Sequence, residues 1–187
     1  CHIFNPESRW QRFEYVEPEM GVDFHLKFYA PNRTKAERIA KAVYERVEHL
    51  NSIFSDYETN SELNQLCRAP VGRPVRVSAE LFDVLSRSQE LAIQTRGAFD
   101  ITSGPSVWFW RKVRKQGKML SLDDLREAQA RVGFRKIKLN SGQRSVTLTT
   151  ANIKLDLGGI AKGYVVDESM RILKADNIRR AFVAASG

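Results

Sequence analysis

The chain has 187 residues, 42% hydrophobic and 28% charged, a length and balance that fit a globular domain and exclude a disordered or low-complexity chain. Its 30 Lys and Arg against 22 Asp and Glu give a net charge of +8, which favours an anionic partner. Two cysteines are too few for a disulfide framework, and no apolar run approaches the roughly 18 residues that span a bilayer. In chain order, residues 1–14 lack periodicity and read as a tether. VDFHLKFY (22–29) alternates as a strand does, with Val22, Phe24, Leu26 and Phe28 on one face. Thr34 and Glu37 have capping-box spacing and open a helix that turns Ala36, Ile39, Ala40, Val43, Val47 and Leu50 inward. GRPVRVS (72–78) reads as a short strand, after which Ser78 caps a second helix bearing Leu81, Phe82, Leu85 and Ala92 and stopping at Gly97. Ser121 caps a third, with Asp123 and Asp124 in its first turn and Gly133 past its end. KIKL, SVTLTT and NIKLDL, within 134–157, predict a three-stranded meander. AFVAASG (181–187) is an apolar strand at the end of the chain, so the polypeptide is expected to continue past it. Together these elements predict one α+β domain over 15–187, an antiparallel or mixed sheet with packed helices, truncated at its C-terminus.

Four stretches could carry chemistry. IKLDLGGIAKGY (153–164) runs from strand period through Gly158-Gly159 into a helix, where Val166, Met170 and Leu173 keep one face. Such a junction can offer backbone N–H groups to an anion, although most glycine junctions are only connections, and this one matches neither full glycine fingerprint. FSDYETNSELNQLC (54–67) suits a polar turn and carries Tyr57, an aromatic that either is plain surface or stacks a flat ring. TRGAFDITSGPSVWFW (95–110) brackets Ala98, Phe99 and Asp100 between glycines ahead of Trp108–Trp110. RKVRKQGK (111–118) is the one dense cationic run; it reads as a solvated loop or helix end, with docking on nucleic acid or anionic lipid as the weaker reading. His2, His25 and His49 are dispersed, with no zinc-ligand spacing. The sequence opens on Cys1 followed by polar residues, the form of a processed bacterial lipoprotein with an acyl anchor, although a cut made there would look the same.

EMG (19–21), SDYETNSELNQL (55–66), GAFDITSGP (97–105) and DLGGIAKGY (156–164) stand in the order and spacing of the FAD:protein FMN transferases. The chain resembles this ApbE-like family, often catalogued as thiamine biosynthesis lipoproteins, from about residue 15 onward. The resemblance implies an FAD-binding, magnesium-dependent transferase. A Thr or Ser hydroxyl of a client protein attacks the FMN-side phosphorus of FAD, and AMP leaves. A flavin-binding module or an FAD pyrophosphatase-like relative is the alternative. By resemblance, Met20, Tyr57, Ala98, Phe99, Asp100, Asp156 and Lys162 contact FAD, Tyr57 against the isoalloxazine, and the Gly159 carbonyl ligates magnesium. The rest of the metal shell is expected from a further C-terminal portion, and no catalytic base is assigned. An exported, periplasmic or cell-envelope location is implied as well, with no nucleic-acid partner.

Overall fold

The computed structural model describes residues 10–117 and 121–185. Its strands are β1 (Gln11–Glu19), β2 (Val22–Ala30), β3 (Val75–Arg76), β4 (Ile137–Asn140), β5 (Ser145–Leu148) and β6 (Ala181–Ala185). Its helices are α1 (Arg33–Phe54), α2 (Glu62–Cys67), α3 (Ala79–Gln94), α4 (Gly104–Gln116), α5 (Leu122–Ala130) and α6 (Ala161–Ala175). No described helix is long and apolar enough to cross a membrane. The α+β class is as expected, and every strand pair described is antiparallel. The chain divides into two compact units: Cys1–Asn51 with Lys162–Gly187, and Ser52–Ala161.

In the first unit the strand order is β1-β2-β6. The alternation of β2 buries Phe24, Leu26, Phe28 and Ala30, while the one-face pattern of α1 buries Ile39, Val43, Val47 and Leu50. Helix α6 adds Val165 and Leu173 to this core. Arg46 ties α1 to α6 through a 2.7 Å ion pair with Glu168. Two readings change here. Residues 11–14, assigned to the tether, begin β1, whose side chains are mostly exposed and polar and so leave no hydrophobic alternation to read. Helix α1 starts at Arg33 and is capped by Asn32, whose Oδ1 accepts from the Lys35 N–H at 2.9 Å, so the Thr34 capping box is not used. The apolar run at 181–185 is a strand as expected, and it pairs with β2, Phe24 opposite Ala185 and Phe28 opposite Ala181. Cys1, His2 and Gly187 lie outside the described residues, as does Lys118 at the end of the cationic run.

The second unit has strand order β3-β5-β4. Ser78 and Ser121 cap α3 and α5 as expected, the latter in a full capping box with Asp124. Leu63, Leu66, Leu81, Leu85, Val146 and Leu157 fill the core. The expected third meander strand does not pair. Ile153, Leu155 and Leu157 are buried and alternate with Lys154 and Asp156, but the segment lies against the chain at 101–104, where the Asp156 N–H donates to the Ile101 carbonyl at 2.8 Å. Period two reports which face is buried, and a strand additionally needs a partner. Helices α2 and α4 were not foreseen, because polar turn residues mask the first and a crowd of aromatics and cations masks the second.

Candidate functional site

The polar residues of 55–65 hold one another and leave Tyr57 out. Ser55 Oγ accepts from the N–H groups of Tyr57 at 3.3 Å and Glu58 at 3.1 Å. The Ser55 carbonyl receives Ser61 Oγ at 2.6 Å and Asn64 Nδ2 at 3.2 Å, and Ser61 Oγ in turn caps α2 through the Asn64 N–H at 3.1 Å. The loop is therefore rigid by its own hydrogen bonds, and the Tyr57 ring projects from it with 75% of its surface exposed.

Residues 97–104 are also fixed locally. Gly97 takes a φ of +87°, which closes α3 and turns the chain toward Ala98 and Phe99. Asp100 spends its carboxylate inside the fold. Its Oδ1 accepts from the Thr102 N–H at 2.8 Å and hydroxyl at 2.7 Å, and its Oδ2 accepts from the Phe134 N–H at 2.8 Å. A Cβ on Gly104 would stand 2.4 Å from the Lys154 carbonyl oxygen, so the start of α4 and the extended segment at 153–157 meet backbone to backbone. Asp156 Oδ1 accepts from the Gly158 N–H at 2.8 Å, shaping the turn into α6. A Cβ on Gly159 would come within 3.2 Å of the Phe99 ring, which places Phe99 against the glycine turn.

Helix α4 supplies a residue that the sequence reading passed over as part of a charge run. Arg111 donates to Asp56 Oδ2 at 2.8 Å, stands 3.7 Å from Asp156 Oδ2, and lies over the Tyr57 ring at 4.7 Å. Partial burial works against its charge, yet the hydrogen bond and charge of Asp56, with Tyr57 and Asp156 beyond, hold it above the ordinary guanidinium range. No local signal in the sequence pointed to it, since Arg111 lies 55 residues from Asp56.

Beside this cluster lies a cleft of about 700 Å³, lined by Tyr57, Trp108, Phe109, Arg68, Lys112 and Lys154 among others. Lys112 and Lys154 approach the Trp108 ring at 5.2 and 5.7 Å. Aromatic walls suit a planar ligand, and the lining mixes these cations with Asp56, Asp124 and Glu127. Cys67 also lines the cleft; burial pushes its thiol up, against opposing pulls from the Leu155 backbone, Lys154 and Arg68. The structure thus gathers Tyr57, Phe99, Asp100, Asp156 and Gly159 in the second unit, where Arg111 joins Tyr57 to Asp156. Met20 and Lys162 belong to the first unit, Met20 at the tip of the β1–β2 hairpin and Lys162 in the first turn of α6.

A sequence profile of the ApbE family matches residues 20–187. The FAD:protein FMN transferase of Haemophilus influenzae is 30% identical over 175 residues, covering 90% of this chain and 51% of that protein. The protein of the same name from Treponema pallidum is 28% identical over 195 residues, covering 100% of this chain and 54% of its own length. Among solved structures, the flavin transferase ApbE from Vibrio cholerae superposes with a TM-score of 0.86 at 22% identity, over 95% of this chain and 58% of that one, which establishes the likeness of fold. The Thermotoga maritima ApbE protein gives 0.83 at 25% identity, over 95% and 57%. The chain spans about half the length of the curated relatives it matches.

Proposed function

The chain belongs to the ApbE family, and from that premise we propose that it is the FAD-binding part of a flavin transferase. The substrate is FAD, and the acceptor is a Thr or Ser hydroxyl of a client flavoprotein. The hydroxyl oxygen bonds to the FMN-side phosphorus as its proton passes to solvent, the bond from that phosphorus to the bridging oxygen breaks, and AMP departs with the electron pair. The observation that supports this best is the convergence of three separate motifs in one unit, where exposed Tyr57 borders an aromatic cleft of about 700 Å³ lined by cations and acids together. In this reading the Tyr57 ring faces the isoalloxazine, with Ala98, Phe99 and Met20 as further flavin contacts. Lys162, half-buried at the start of α6, meets the diphosphate through its charge and the helix field.

Two residues need a narrower statement. Asp100 can contact flavin only through edges its internal hydrogen bonds leave over, so its side chain acts first as a staple. Magnesium would take the Gly159 carbonyl, but the described residues contain no group of three or more His, Cys, Asp or Glu that could hold a metal ion, and Asp156 is committed to Gly158 and Arg111. The residues described here do not make a magnesium site, which wants a near-octahedral oxygen shell, and no step is drawn through the ion. An acyl anchor at Cys1 and an outward-facing place in the cell envelope belong to the same proposal and rest on the resemblance alone.

The test is AMP release. Full-length protein, incubated with FAD, magnesium and a client carrying the acceptor hydroxyl, should release AMP and leave FMN covalently on the client. Absence of both AMP and any heat of FAD binding would overturn the proposal.

A further inference from the structure

We propose that Arg111 is a positioning residue of this site, one guanidinium fixing the Tyr57 ring and the Asp156 carboxylate in a single frame; the inference rests on the reading of those two residues as FAD contacts. A ring that is 75% exposed is not fixed by burial, and the guanidinium stacked 4.7 Å from its centre supplies the missing constraint on one face. The other face remains for a planar ligand. The same group reaches Asp56 at 2.8 Å and Asp156 at 3.7 Å, and Asp156 is the more enclosed acid, its side chain 15% exposed. Only arginine does all of this at once, because its planar fork lies over a ring while donating to one carboxylate and pairing by charge with a second, and an ammonium is a single point.

The helix carrying Arg111 is itself indexed to Asp156. Gly104 allows the start of α4 to touch the Lys154 carbonyl, two residues before Asp156, where any side chain would collide. Arg111 lies roughly two helical turns beyond Gly104 and so on the same face of α4. A backbone contact therefore sets the distance across which the guanidinium reaches. Asp56 pairs with the guanidinium at 2.8 Å, and Asp56 is the residue before Tyr57.

The test compares Arg111→Met, Arg111→Lys, Tyr57→Ala and the Arg111→Met/Tyr57→Ala pair in the full-length protein, with FAD affinity read by calorimetry. Arg111→Met should weaken FAD about tenfold, the scale of a lost charged hydrogen bond with a cation–π contact. Arg111→Lys should recover part of that loss and not all of it. Because arginine acts through Tyr57, the double variant should lose less than the product of the single losses. An affinity within twofold of the parent for folded Arg111→Met, or losses that multiply in full, overturns the inference. Should Arg111→Met fail to fold, Arg111→Lys carries the same readout, and an unchanged affinity overturns it. If the parent itself binds no FAD, the reading of the site falls, and the contact is judged on its own by the ring resonances of 13C-labelled tyrosine. The Tyr57 signal, identified through Tyr57→Phe, should move in Arg111→Lys; an unmoved signal rejects the frame.

Discussion

Asp100 and Asp156 are two acids in neighbouring motifs with different occupations, and the difference is measurable. Asp100 receives three donors, the Thr102 N–H and hydroxyl and the Phe134 N–H, and thereby pins the turn before α4 to the turn after α5. Asp100→Ala should lower stability by about 1–3 kcal/mol, read as a shift of the denaturant midpoint at constant slope, because buried donors lose a charged acceptor. An unchanged midpoint would show that the carboxylate is held for ligand contact alone. Cys67 gives a second measurement. Burial raises its thiol above the ordinary range, so at about pH 8 the neutral form dominates and the nucleophilic thiolate is scarce. Alkylation followed on the Cys67 peptide should be slower than for a free thiol and should accelerate as pH rises beyond the usual thiol range. A rate equal to that of a free thiol would mean that the cleft opens Cys67 to water.

The β1–β2 hairpin shows how an element can run against its own sequence. Glu19 pairs with Val22, so Met20 and Gly21 form a two-residue loop, and their φ values of 52° and 74° are those of a type I′ turn. Gly21 suits that turn; Met20 does not, since a left-handed residue with a Cβ costs about 1–2 kcal/mol. Met20→Asn should therefore raise stability by about 1 kcal/mol while weakening FAD if the methionine meets the ligand. Thermal melts and FAD titration on one sample separate these effects, and a stability loss would show that the methionine is held by packing. The same tension governs which elements could be read beforehand. Helix α3 was legible because apolar spacing and the cap Ser78 agree, α1 from its apolar spacing, and α5 from the cap Ser121 with its acidic first turn. Strand β1 was hidden because Glu17 and Glu19 continue the face that Phe13 and Tyr15 begin. Helix α4 was hidden because Gly104 and Pro105, usual breakers, are here a close backbone approach and a first-turn proline.

Across the chain, the motifs of the candidate site were legible as stretches but not as an assembly. Tyr57, Phe99, Asp156 and Gly159 each stood out by residue type and spacing. The group that joins two of them did not, since Arg111 and Asp56 are 55 residues apart and no local period reports such a pairing. Net charge, by contrast, is a property of the entire sequence and yields its own test. On the proposed reading, a net charge of +8 presents a positive field to the FAD diphosphate, with Lys112 and Lys154 lining the cleft and Lys162 assigned to the diphosphate. Riboflavin offers the same isoalloxazine without the phosphates. FAD affinity should fall on the order of threefold or more between about 0.05 and about 0.5 M salt, while riboflavin affinity changes little, because screening acts only on the charged half. Lys162→Ala should flatten that salt slope for FAD and leave riboflavin unaffected. Equal salt slopes for the two ligands would move the diphosphate away from the lysines and leave the aromatic contacts as the whole of recognition.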